Sequence, residues 1–455
     1  MTCFLQQSAA TVRTLVAAAA VMIAAETAVA HAEDCGFKTP PDIDVARELM
    51  ITDLSVVNDM RVDGPDGAWS LGRLMTALAD DGRASSLVKA WLQTWDTPGA
   101  VNGFPLPARP AVRDRIVRPW MAMDGAASME TWTPNFAHAP FRLLAVVYRP
   151  DLGIVGRDNA IANAGEARLV FTALDLAVIP DIARAPPLPF TLIVEYTLPA
   201  TDRDAVRNWA ERWHALGRLP FGMAYNAALQ SITDAFDGAS ARTTVRLRTN
   251  DGLAPPWQLR EFRRDSGTGR LVDAAVSNTP HLSLIATPSE LSAFVNDNRG
   301  NDLPPRFLGG NADIPGPDFR WPAMGIANNV LRHNFAMLTC NGCHSAETGR
   351  KAADVDPAHA GFRHIGGRLR EEEATLSEFL TGNPAVVADP TGKLQTFCDL
   401  KMRQKAMFEA LHPTPVPEVA LGAAPRSTPD VGTPGAGMSH PDDLSVARSR
   451  RDRTD

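Results

Sequence analysis

Phe141-Arg142-Leu143-Leu144-Ala145-Val146-Val147-Tyr148 is a short run of apolar, β-branched and aromatic residues, and it reads as a strand. Runs of the same kind follow at 167–174 and 190–198, each set off by Pro, Gly, Asp or Asn. Two helical patterns come next. The stretch 202–216 opens on an N-capping Thr201 or Asp202 and carries Val206, Trp209, Trp213 and Leu216, and 223–236 carries Leu229, Ile232 and Phe236. Strands resume at 243–247, 257–262 and 271–276. The order βββ-αα-βββ predicts an α+β fold with a largely antiparallel sheet and two inserted helices, not a doubly wound nucleotide fold. No G-x-G-x-x-G, Walker A, H-E-x-x-H or G-x-S-x-G element argues otherwise.

Upstream, the segment 33–130 reads as helical. Leu71, Leu74, Met75 and Leu78 recur at helical spacing, Val88, Trp91, Leu92 and Trp95 do the same, and 112–123 suggests a third helix. Its tryptophans are expected in the core. Further upstream, Arg13 precedes an apolar run at 15–25 and then Ala28-Val29-Ala30 and Ala30-His31-Ala32, the pattern of a signal peptide over 1–32. Export to the periplasm or beyond is therefore expected, and no later stretch has the length of a membrane span.

The chain has 455 residues, 45% apolar and 21% charged, which allows two sizeable domains. Its net charge of -7 is spread without a basic stripe, so nucleic acid is a poor partner. Prolines concentrate after His412, and the tail 413–455 is expected to be disordered. The expected domains are thus a helical region at 33–130, an α+β domain at 131–300 and a third module at 301–412.

That third module carries the chemistry. Cys340-Asn341-Gly342-Cys343-His344 is a C-x-x-C-H pentapeptide, which in an exported protein reads as an attachment site for c-type haem. On a helix, Cys343 and His344 fall three and four residues after Cys340 and share its face. Two thiols can then bind the porphyrin vinyl groups while the His344 imidazole reaches the iron. Asn341 and Gly342 point elsewhere and are expected to be free to vary. A redox dithiol or half of a zinc site uses similar pairs, but no second ligand pair follows at short spacing.

A helix at 326–340 is expected to lead into the motif, and helices at 371–380 and 394–411 are expected to close the pocket. For the sixth iron position the choice is His364, whose neighbours Gly361, Gly366 and Gly367 let backbone approach closely. Met402 and Met407 are the late methionines that a small cytochrome c would use, Met402 being the alternative to His364, while His333, His359 and His412 are outsiders. Arg368 and Arg370 are candidates for the haem propionates, and Glu371-Glu372-Glu373 for a helix N-terminus. His214 is expected to be packed or hydrogen-bonded. With Cys340 and Cys343 assigned to haem, Cys35 and Cys398 remain for a disulfide, the alternative being two unpaired thiols.

Several strings resemble a group of exported bacterial proteins that has no established activity. They are Pro189-Phe190-Thr191, Arg212-Trp213-His214-Ala215-Leu216-Gly217, Tyr225-Asn226-Ala227-Ala228-Leu229-Gln230, Arg332-His333, the stretch 339–344, and Phe379-Leu380-Thr381-Gly382. In that family an α+β region precedes a single C-x-x-C-H. Leu338 stands where the family suggests Asn, and Glu378 where it suggests Gly. The module at 301–412 also resembles a small all-α cytochrome c. The expected function is one-electron transfer at one covalently bound haem per chain, with a redox partner protein. The alternatives are a haem enzyme or gas sensor with an open distal position, and a noncatalytic interaction protein whose cysteine pair is a structural disulfide.

Overall fold

The computed structural model describes residues 42–79, 82–153, 161–236, 245–286, 288–296, 303–314, 318–322, 325–326, 329–348, 363–381 and 385–413. In chain order the strands are β1 (Met50–Ile51), β2 (Gly99–Val101), β3 (Phe104–Leu106), β4 (Phe141–Arg149), β5 (Glu166–Leu174), β6 (Pro187–Thr197), β7 (Val245–Asp251), β8 (Gln258–Arg264), β9 (Leu271–Ala274), β10 (Asn311–Asp313), β11 (Ala385–Ala388) and β12 (Leu394–Phe397). Eight of them form one antiparallel sheet in the order β1-β4-β5-β6-β7-β8-β10, with β9 also paired to β8. β2–β3 and β11–β12 are separate hairpins.

The two faces of this sheet are chemically different because side chains alternate along a strand. On one face, Tyr148, Leu169, Phe171, Leu192, Val194, Leu247 and Phe262 form a large core under the N-terminal helices and the inserted pair Arg203–Leu216 and Met223–Thr233. Trp213 stacks on Tyr148 with ring centroids 4.9 Å apart, and Trp91 and Trp95 pack on Phe262 and Phe190. These tryptophans are core residues, each fully buried. Burying such side chains stabilises by roughly 1.5–3 kcal/mol apiece.

On the other face, Val147 and Val170 pack with Ile365, Phe379, Leu380 and Val387 from the C-terminal segment. Strands β4, β5 and β6 are therefore covered on both sides, which is why their sequences are nearly continuous in apolar residues.

The sheet draws on both flanking regions: β1 comes from the segment expected to be helical, and β10 from beyond residue 300. The C-terminal part is accordingly not an all-α module, since it supplies β10 and the β11–β12 hairpin. The helix expected at 394–411 begins only at Asp399. Residues 394–397 are instead β12, because the Asp389 carboxylate gathers Thr391 N–H (2.9 Å) and Lys393 N–H (3.0 Å) into a tight turn that returns the chain.

The helix expected at 371–380 is reduced to Glu378–Thr381, and Glu371, Glu372 and Glu373 are exposed ahead of it. The cause is Arg368. Its buried guanidinium donates hydrogen bonds to the carbonyls of Arg370 (2.7 Å), Leu369 (3.2 Å) and Glu372 (3.4 Å), oxygens that a helix would otherwise use internally. Among the described residues no helix is long and apolar enough to cross a membrane. The tail from residue 414 and His359 lie outside the described residues.

Candidate functional site

The C-x-x-C-H segment sits on its own turn. Helix Asn329–Leu338 ends before Thr339, and a second short helix, Cys340–Cys343, begins there. Thr339 is the break: its extended backbone starts the new turn and its hydroxyl accepts the Gly342 N–H at 3.0 Å. The same hydroxyl donates to the Ala336 carbonyl at 2.7 Å. Cys343 N–H then bonds to the Thr339 carbonyl and His344 N–H to that of Cys340, so one turn presents all three motif side chains.

Asn341 and Gly342 are not free to vary. A Cβ on Gly342 would lie 2.1 Å from the Ala336 carbonyl oxygen. Asn341 is fully buried and accepts from Trp321 Nε1 at 3.1 Å. Helical spacing shows which residues share a face, but not that the opposite face is packed against the preceding turn.

A cavity of about 840 Å³ opens between the second sheet face and the C-terminal segment. That volume lies in the range of small-molecule and cofactor pockets. Cys340, Cys343, His344 and His364 line it together, with Met402 and Cys398 on the first turn of helix Asp399–Leu411 and its cap. Cys340 and Cys343 are free thiols. Burial raises both, the Cys343 thiol up to about 12, so both are protonated at neutral pH.

His344 stacks on Trp257, centroids 4.8 Å apart at 24°. His364 meets it edge to face at 4.6 Å. Its Nε2 lies 3.1 Å from Cys343 Sγ and its Nδ1 3.0 Å from Ser377 Oγ. Burial, then the neighbouring His344 charge, push the His364 imidazole well below its ordinary value. It is a neutral ring, the form that ligates metals.

Met402 is 53% exposed at the cavity edge, whereas Met407 is fully buried in the helix-side core. His214 does not line the cavity; its Nδ1 is 2.8 Å from the buried Glu48 carboxylate. Cys398 is disulfide-bonded, and Cys35, its expected partner, falls outside the described residues.

Sequence reading missed the walls of this cavity. Arg332 and His333 both reach the Glu347 carboxylate, His333 Nδ1 at 2.9 Å, and so clamp the segments before and after the motif together. The sheet floor carries Arg168, Glu195 and Arg246 in one cross-strand row and Arg248 in the next. Its signal was present in Glu166-x-Arg168 and Arg246-x-Arg248, charged residues at period two inside strands. Arg368, expected near haem propionates, is not in the cavity; it is sunk under the sheet edge against the carbonyls of Leu143 and Val57.

The donor set fits a covalently attached haem: two free thiols and an imidazole on one turn, facing a cavity of cofactor size. The spacing of the second imidazole does not fit as it stands, since rings in contact leave no room for a porphyrin between them. His344 and His364 would have to part for both to hold one haem iron. Among the described residues no cluster of three or more His, Cys, Asp or Glu is arranged for a bare metal ion. Comparison with family models, with curated proteins and with solved structures finds no match to the chain.

Proposed function

We propose that this chain is an exported monohaem protein of the c type that passes single electrons to and from a redox partner protein. The observation that carries the reading is the convergence of Cys340, Cys343, His344 and His364 on one cavity. A haem bound there supplies one-electron exchange at iron. Cys340 and Cys343 would hold it through thioether bonds, and His344, kept upright by its stack on Trp257, would be the proximal ligand.

His364 would occupy the sixth position. Its Nε2 lies against Cys343 Sγ and its Nδ1 against Ser377 Oγ, so both ring nitrogens are engaged. A thioether has no S–H. Attachment at Cys343 would remove the S–H and with it any hydrogen bond from sulfur to Nε2, while the Ser377 contact at Nδ1 would continue to orient the ring. Two imidazoles give a lower potential than a His/Met pair.

The test is the mass of the mature protein from a host with haem-attachment machinery, together with haem staining on a denaturing gel. Covalent haem is expected in the wild type and none in the Cys340→Ala/Cys343→Ala variant. Full staining of the double variant would end this reading.

A further inference from the structure

Beside the motif residues, the wall of the cavity is charged. Among the described residues six arginines line it against four carboxylates. The carboxylates are engaged: Glu166 and Glu195 face Arg168 at 2.7 and 3.2 Å, Asp151 faces Arg149 at 2.6 Å, and Asp399 faces Arg403 Nη2 at 2.6 Å. Burial pushes the Glu166 carboxyl up, but the charges of Arg168, Arg246 and Arg248 outweigh it and hold the group at about 2, so it is ionised at neutral pH. Burial lowers Arg403 only to about 10, so it too stays charged. The lining thus carries two positive charges in excess.

Arg403 shows where that excess is directed. It is 3% exposed and lines the cavity, and its Nε and Nη1 are buried with no hydrogen-bond partner. It stands in the first turns of helix Asp399–Leu411, whose cap residue Cys398 makes no side-chain cap bond and is itself in the cavity wall. A helix N-terminus and an unsatisfied guanidinium on one wall are both anion-seeking. Planar acceptors of the carboxylate type match arginine donors best.

We infer that this charged wall of the cavity is a binding site for a ligand bearing two carboxylates, with Arg403 as its principal contact. The carboxylates have two possible sources. They are the propionates of haem, in which case the inference rests on the proposed function, or those of a free dicarboxylic acid bound beside it.

The experiment uses the full chain made without haem-attachment machinery. It is titrated with ferric haem and with haem dimethyl ester, whose carboxylates are capped, following tryptophan fluorescence. Separately, the haem-free chain and the haem-loaded protein are each titrated with succinate, following the thermal midpoint. If propionates are the ligand, haem binds about tenfold or more tighter than the ester, the scale of one charge-assisted pair. That preference is expected to vanish in Arg403→Met and return in part in Arg403→Lys. If a free dicarboxylate is the ligand, haem and ester bind alike and succinate raises the midpoint of the wild type but not of Arg403→Met. Succinate binding to a chain that takes up neither haem nor ester would sink the haem reading and keep this one. Equal binding of haem and ester with no succinate response overturns the inference, and the wild type alone decides that even if Arg403→Met does not fold.

Discussion

Cys343 Sγ and His364 Nε2 lie 3.1 Å apart, so under the proposed haem attachment a change at the thiol would be felt directly by the second imidazole. The chain brings them together across 21 residues by stitching Ser377 N–H to the His364 carbonyl at 2.9 Å and Gly366 N–H to that of Thr375 at 2.7 Å. His364 is thereby held over the motif by backbone, not by its own side chain alone.

If His364 is the sixth ligand, His364→Ala in the haem-loaded protein opens the iron. Ferric absorption is expected to turn high-spin, and carbon monoxide to bind the reduced form. Ser377→Ala, which removes only the Nδ1 partner, is expected to give a mixture of spin states. A wild type showing the near-infrared band of methionine ligation, lost in Met402→Ala and kept in His364→Ala, would transfer the role to Met402. A wild type already high-spin would favour an open-site enzyme or sensor.

Gly342→Ala is expected to destabilise by about 1–3 kcal/mol, the usual cost of forcing a methyl group into packed space. The methyl has nowhere to go, since its nearest neighbours are the backbone carbonyl of Ala336 and the Thr339 hydroxyl. Thermal melts should show a fall of several degrees, whereas Gly267→Ala, at a position with nothing closer than 3.5 Å, should stay near the wild type. Equal melts for the two variants would refute the packing argument.

Glu347 carries a pH signature. Burial pushes its carboxyl up, but hydrogen bonds from His333 and Arg332 outweigh burial and hold it below the ordinary 4.5. A carboxyl depressed on folding stabilises the ionised native state above its unfolded value and loses that contribution as pH falls through the folded one. Glu347→Gln, which strands a buried arginine, should cost about 3–5 kcal/mol near neutrality. Denaturant melts at several pH values should show the gap to the wild type full above 4.5 and closing below it. A gap that is constant with pH would mean that charge is not involved.

Arg368→Met should destabilise strongly and leave haem attachment intact. The side chain satisfies the carbonyls of Leu143 and Val57, and Asn58 Oδ1 at 2.8 Å. Its removal leaves buried acceptors unmet, at roughly 1–3 kcal/mol each. Loss of covalent haem in a variant that still folds would place Arg368 in the site after all.

The antiparallel sheet, its two inserted helices and the apolar helical segment upstream were legible in the sequence, because strand and helix periodicity are local and each buried face repeats at its own period. The C-x-x-C-H motif was legible for the same reason, its three residues being within one turn. What lay beyond a local window was decided by tertiary contacts. A carboxylate at Asp389 turned residues 394–397 into a strand, and a buried guanidinium at Arg368 unwound 371–377. Thr339 and Ala336 made Gly342 obligatory. The cavity is the furthest from sequence, since its floor comes from strands β4 to β8 and its roof from residues 333–403, and only folding sets the charges of one against the thiols and imidazoles of the other. Long-range electrostatics depends on separation in space, which no spacing along the chain encodes.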